Sequence, residues 1–526
     1  MLQDNLLLII VLLFAVVLLS MLSEKLRVPY PIFLVICGLI IGFIPNVLDI
    51  VLEPDLVFLI FLPPLLYSAA WNTSWKDFWS SRRPIGLLAL GLVIFTSFAV
   101  AVVAHWIIPG FSFAMGFLLG GIISPPDAIA ATSVLEKLKI PKRVVTILEG
   151  ESLVNDASSL IVFRFALMAI LTGEFVFIKA GLEFISVVSL GILIGLCIAF
   201  VIYLIHKFLP TSASIDTGIS LIAPYLMYIT AEHFECSGVL AVVSGGLLLS
   251  SRATEVLSYN SRLQMQSVWD TLVFLFNGVV FIVIGLQLPV ILNSMDTGSI
   301  TSAIFYAVII SLVTILVRII WVFPGTYLPR LINKKEKRQA TPGWKSVFII
   351  AWSGMRGVVS LAAALSIPIT LDTGEKFPQR NLILFITFVV ILFTLVLQGL
   401  SLPFLIRVLN IEATENAKEY ELEVQTKLTS AVLAHIETNY AHEIETHDAF
   451  RQLRERYQYL LDAQNKLKER KEDPASYAHK YRRALLELID VRRKALFEMR
   501  KDEKYPDDLL RQREREIDHE EARLRV

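Results

Sequence analysis

Apolar stretches of about twenty residues, the length that crosses the hydrocarbon core of a bilayer, follow one another from residue 5 to residue 411. Inside a bilayer there is no water to satisfy backbone polar groups, so stretches of this length read as membrane helices, each closing its own hydrogen bonds. Thirteen spans fit the pattern, at about 5–22, 30–46, 55–71, 84–109, 112–136, 143–170, 179–208, 218–234, 237–251, 268–293, 302–325, 345–371 and 381–410. Past residue 411 the composition inverts. Residues 412–526 hold 26 acidic and 23 basic residues, or 49 of the 96 charges in the chain. The expected architecture is therefore an all-α polytopic membrane protein, with a transmembrane domain over 1–411 and a charged helical tail over 412–526.

The loops provide a separate test, because cytoplasmic loops collect Lys and Arg. With the N-terminus outside, the inner loops hold Lys25 and Arg27; Lys76, Arg82 and Arg83; Lys137, Lys139, Lys142 and Arg143; Arg252 and Arg262; and Lys334, Lys335, Lys337 and Arg338. The outer loops are short and uncharged or acidic, as at Asp49, Glu53 and Asp55, except for Lys376 and Arg380. An odd number of spans then puts the tail in the cytoplasm and the protein in the cell membrane. The first apolar run lacks a basic flank and reads as a retained helix. Zero net charge gives no support for a nucleic-acid partner. The three cysteines, Cys37, Cys197 and Cys236, show no paired spacing. The tail reads as helical pieces with breaks near Asp473-Pro474 and Tyr505-Pro506, and with Tyr457, Leu460, Leu461, Leu485, Leu486 and Ile489 recurring on one face.

Charges are so scarce in the membrane part that each needs a reason. The fifth span reads Ser124-Pro125-Pro126-Asp127-Ala128. Two consecutive prolines cannot lie inside a regular helix. The carbonyls they free must find protein, water or an ion, not lipid. Asp127 follows the break and can cap the second half-helix. A serine would cap equally well without a buried charge, so the carboxylate points to ion-coupled transport.

In the sixth span Glu151, Ser152, Asn155, Asp156, Ser158 and Ser159 fall within a wedge of about 160°, with Leu153, Val154, Leu160 and Ile161 opposite. A carboxylate in mid-membrane costs roughly 2.5–3.5 kcal/mol on insertion scales. Two on one helix, with an amide and three hydroxyls, form a set of oxygen donors suited to a hard cation such as Na+ or Li+. In the twelfth span Arg356 lies between Gly354 and Gly357 and must be paired if buried; Glu151 is the expected partner. That leaves Asp127 and Asp156 to titrate. Arg164 near a helix end is expected to snorkel. Arg318, Asn277 and Gln398 are expected to hydrogen-bond or pair between helices rather than touch an ion.

Four segments resemble the sodium/proton exchangers of the cation:proton antiporter-1 family, most nearly the bacterial NhaP-like branch. They are Phe61 to Tyr67 (FLPPLLY), Ser124 to Ala128 (SPPDA), Gly150 to Ser158 (GESLVNDAS) and Gly354 to Gly357 (GMRG), in order within residues 5–410. The resemblance implies inverted repeats, two unwound helices crossing near the midplane, and a homodimer. It further implies that Asp127 and Asp156 bind the transported Na+ (or Li+ or K+) and H+, with Ser152 as an added ligand and no cofactor. Asn155 would support the unwound segment, and Glu151 would pair with Arg356. The Asn-Asp pair, in place of Asp-Asp, implies one cation per proton. Where members often have Thr-Asp-Pro, this chain has Pro126-Asp127-Ala128, so a ligand from position 126 must be its backbone carbonyl. Rival readings are a passive cation channel, a transport-inactive sensor and an intramembrane aspartyl protease. The protease's Gly-x-Gly-Asp signature is missing, and no phosphate-binding loop occurs.

Overall fold

A computed structural model describes residues 2–26, 28–44, 59–135, 140–173, 177–293, 295, 300–332, 343–371, 374–411, 416–470, 475–499 and 507–525. The loop charges Arg27, Asp49, Glu53, Asp55, Lys137, Lys139, Lys334, Lys335, Lys337 and Arg338 lie outside these residues, as do both expected breaks of the tail. The chain forms two compact units, Met1–Ala413 and Thr414–Val526.

The first unit comprises α1 (Leu2–Leu26), α2 (Tyr30–Gly42), α3 (Leu62–Asn72), α4 (Trp75–Ser80), α5 (Arg82–Ile107), α6 (Phe113–Ile123), α7 (Ala128–Leu135) and α8 (Lys142–Thr172). Then come α9 (Phe177–Phe208), α10 (Ala213–His233), α11 (Gly238–Val256), α12 (Tyr259–Asn293), α13 (Ile300–Ile332), α14 (Trp344–Trp352), α15 (Val358–Leu365) and α16 (Arg380–Val408). Among the described residues eight helices are long and apolar enough to cross a membrane, and α2 and α6 are shorter apolar helices. The expected spans 112–136 and 345–371 are each two half-helices, α6 with α7 and α14 with α15. The narrow division between α10 and α11 is a tight turn in which Glu235 adopts φ 54° and the Cys236 N–H donates to the Ala231 carbonyl. Arg380, out of place as an outer-loop charge, donates to the carbonyls of Ile367 and Leu365. It thus neutralises the carbonyl end of α15.

Two large apolar clusters make the core. One draws on α2, α5–α8 and α12–α16; the other draws on α3 and α8–α12. Only α8 and α12 feed both substantially, so side chains midway along them lie where the clusters meet. The rotation of α12 is set by close backbone contacts. A Cβ on Gly38 of α2 would overlap the Ile282 carbonyl oxygen of α12, and one on Gly285 would overlap the backbone of Val35. We expect Gly38→Ala to force these helices apart at a cost of about 1–3 kcal/mol, read as a lower melting temperature in detergent. An unchanged melting temperature would contradict the contact.

In the second unit, α17 (Asn416–Asn439), α18 (Ala441–Thr446) and α19 (Asp448–Arg470) pack together, and α20 (Ala475–Met499) pairs with α21 (Asp507–Arg525). Ile489, Leu510 and Ile517 are buried between the last two. Arg493 bonds Asp518 and Glu521, which hold its guanidinium above its ordinary range. On the expected face Tyr457, Leu461, Leu485 and Leu486 are half-buried, whereas Leu460 is exposed.

Candidate functional site

The helix α6 stops at Ile123 because Pro125 and Pro126 supply no N–H to continue its ladder. The chain re-enters a helix at Ala128, with the Asp127 Oδ1 accepting the Ile129 N–H at 2.8 Å. This is a helix N-cap, placed where the positive end of the α7 dipole meets a carboxylate. The Asp127 N–H donates to the Met355 carbonyl at 2.7 Å, tying this break to the one between α14 and α15. Gly357 lies so close that a Cβ there would overlap the Asp127 carboxylate. That contact explains the second glycine of the Gly-Met-Arg-Gly segment.

The polar wedge of α8 serves four purposes. Glu151, fully buried, takes Arg318 of α13 in a two-pronged ion pair, with Nη1 to Oε1 at 2.5 Å and Nη2 to Oε2 at 2.8 Å. Asn155 donates from Nδ2 to the Pro126 carbonyl at 3.1 Å, holding the unwound segment. Ser158 donates to the Ala89 carbonyl, which belongs to a π-helical turn of α5 over Leu87–Leu92. Such a turn displaces carbonyls from their usual partners, and Trp321 caps a second one at Leu87. Ser152 and Asp156 face a cavity of about 280 Å³, which Asp127 also lines.

The pairing of Glu151 with Arg356 is corrected. Arg318 occupies both oxygens of Glu151, and Arg356 instead donates from Nε to the Ile123 carbonyl at 2.9 Å and from Nη1 to the Gly354 carbonyl. A helix that ends in mid-membrane leaves carbonyls without partners, and a cation is the strongest donor for that negative end. Arg318 does the same for α14, donating to the Ile350 carbonyl at 3.1 Å. Each break thus has an arginine at the carbonyl end of its first half-helix. Arg164, expected to snorkel, is ion-paired with Glu232 of α10 at 2.6 Å.

The expected site residues do not all reach the cavity. Asp127, Asp156 and Ser152 line it; Asn155, Pro126, Glu151 and Arg356 are not among its lining residues. Other polar residues join the lining, among them Glu149, Thr132, Ser133, Asn277 and Ser360. Glu149 was legible, since Glu149, Ser152 and Asp156 follow the i, i+3, i+7 spacing of one helix face. Chemically, the cavity offers carboxylate, amide and hydroxyl oxygens at the ends of interrupted helices.

The family model "sodium/hydrogen exchanger, transmembrane" matches residues 9–408. A sodium, potassium, lithium and rubidium/H+ antiporter of Bacillus pumilus is 33% identical over 413 residues, covering 77% of this chain and 60% of that protein. The antiporter of the same description in Bacillus subtilis is 36% identical over 387 residues, covering 72% of this chain and 58% of that protein. The chain thus spans about 60% of the length of these relatives. The structure of the sodium proton antiporter MjNhaP1 from Methanocaldococcus jannaschii at pH 8 matches with a TM-score of 0.60 at 20% identity, over 76% of this chain and 99% of that one. At that identity the match speaks to the fold.

Proposed function

The chain belongs to the sodium/hydrogen exchanger family, and from that premise we propose that it is a secondary antiporter exchanging one monovalent cation for one proton at Asp127 and Asp156. The observation that carries this reading is that both carboxylates line one cavity, at a helix break inside an apolar domain. A carboxylate there holds either a proton or a cation. If the empty, charged site reorients poorly because a bare charge is costly in low dielectric, only loaded states cross, and competition with alternating access yields exchange without ATP. Ser152 adds a hydroxyl ligand. Asn155 fixes the Pro126 carbonyl and, being neutral, adds no further carboxylate beside Asp156, which supports an electroneutral cycle.

Na+ is the first choice of cargo. The Bacillus relatives are named for sodium, potassium, lithium and rubidium, so those four ions are the set to compare. The proposed setting is a homodimer in the cell membrane, with the N-terminus outside and the tail in the cytoplasm. In proteoliposomes an inward Na+ gradient should drive proton efflux, at a rate independent of an imposed voltage. Cation flux that follows voltage without proton movement would identify a channel instead.

A further inference from the structure

Besides the carboxylates, the cavity is lined by residues of α12 and α15 that include Asn277 and Ser360. Asn277 is 2% exposed and Ser360 1% exposed. The Ser360 hydroxyl, on the first turn of α15, has no hydrogen-bond partner. Among the described residues nothing is bonded to the Asn277 amide either, although it lies in an otherwise apolar stretch of α12 between Phe276 and Gly278. Burying an amide or a hydroxyl without a partner costs the full desolvation of that group. A polar side chain without a protein partner that lines a cavity is available to bond what enters it.

Asn277 cannot simply turn away. A Cβ on its neighbour Gly278 would overlap the Val16 side chain of α1, and Gly285, two turns on, presses on the backbone of α2. These contacts fix the rotation of α12, and with it the face that Asn277 presents to the cavity. The neighbouring lining residue, Val273, lies one turn earlier on the same face and has no polar atom to offer. Ser360 is similarly placed by the break before α15, where Gly357 abuts Asp127.

We infer that Asn277 and Ser360 are neutral oxygen ligands of the transported alkali cation, completing within the same cavity the site whose charge comes from Asp127 and Asp156. This rests on the exchange reading above. An amide oxygen and a hydroxyl are hard donors that can replace water around Na+ or Li+. Neither takes the exchanged proton, so they act on the cation half of the cycle and leave the proton half alone. Because α12 and α15 set how far these donors stand from the carboxylates, they also set which ion fits. Selectivity among Li+, Na+ and K+ therefore resides with Asn277 and Ser360, while the need for charge resides with the aspartates.

The test compares the full-length protein with Asn277→Val, Asn277→Ser and Ser360→Ala in proteoliposomes, measuring proton flux driven by Li+, Na+ or K+. Asn277→Val should raise the KM for Na+ and Li+ about tenfold, the effect of one lost polar contact, and should raise that for K+ less. The rate at saturating cation and the pH midpoint at saturating cation should stay where they are. Asn277→Ser, which restores an oxygen, should recover most of the lost affinity, and Ser360→Ala should shift KM in the same direction. A pure packing role would lower the saturating rate or the amount of folded protein without reordering the cations. Wild-type KM values for all three ions in Asn277→Val and Ser360→Ala would overturn the inference, as would a shifted pH midpoint with KM unchanged. If Asn277→Val does not fold, Asn277→Ser and Ser360→Ala decide by the same KM comparison. Absence of cation-driven flux in the wild type would instead overturn the exchange reading.

Discussion

Replacing Asp156 or Asp127 by asparagine should abolish Na+-driven proton movement, with at least a hundredfold fall in rate, while the folded protein is recovered in normal amount. The two substitutions are matched in shape, so they separate charge from packing. At Asp127 the side-chain oxygen that caps α7 through the Ile129 N–H is retained, because asparagine caps a helix as well as aspartate does. At Asp156 the side chain lines the cavity rather than bonding another helix. Two like charges on one cavity repel, so removing one should leave the melting temperature equal or higher. The measurement is dye-reported proton flux in vesicles, alongside melting of the same preparations. Exchange surviving in either variant would end the shared-site account.

The largest effect on stability should come from Arg318→Ala. That change leaves Glu151 buried without its partner, and breaking a buried ion pair by removing one side costs roughly 3–5 kcal/mol. Arg356→Ala frees the Ile123 and Gly354 carbonyls instead, an orphaned-acceptor cost of about 1–3 kcal/mol. Size-exclusion profiles and melting temperatures should therefore fall in the order wild type, Arg356→Ala, Arg318→Ala. Neutralising both partners, as in Glu151→Gln with Arg318→Gln, should recover much of the loss. The opposite order of the two arginine variants would restore Arg356 as the partner of Glu151.

The helical plan follows from the lengths of apolar stretches, and the break at Pro125-Pro126 follows from proline's missing N–H. Both are local properties. The wedge of α8 is local too, and its spacing brings Ser152 and Asp156 to one face. Which arginine meets Glu151 is not local: Arg318 and Arg356 are both isolated charges in apolar stretches of sequence, and only the packing of α13 against α14 separates them. Arg356 is drawn to the carbonyls of a broken helix, a demand visible only once α6 is known to end at Ile123. Asn277 escaped for a related reason. A lone amide on an apolar helix reads as glue between helices, and only the packed structure places it at the cavity. Arg380 misled as a loop charge because a helix end, not a loop, uses it.

The ion pair between Glu151 and Arg318 also bears on how the chain is made. Its partners are separated by 167 residues, which at about 5–20 residues per second of synthesis is an interval of roughly 8 to 33 seconds. Through that interval α8 carries an acidic group with no arginine to meet it, while α9, α10, α11 and α12 emerge. The group has to stay in contact with water until then, so α8 cannot settle into its final, sealed position when it first enters the bilayer. The domain closes around the pair only when α13 arrives, and the second half of the chain thereby licenses the assembly of the first.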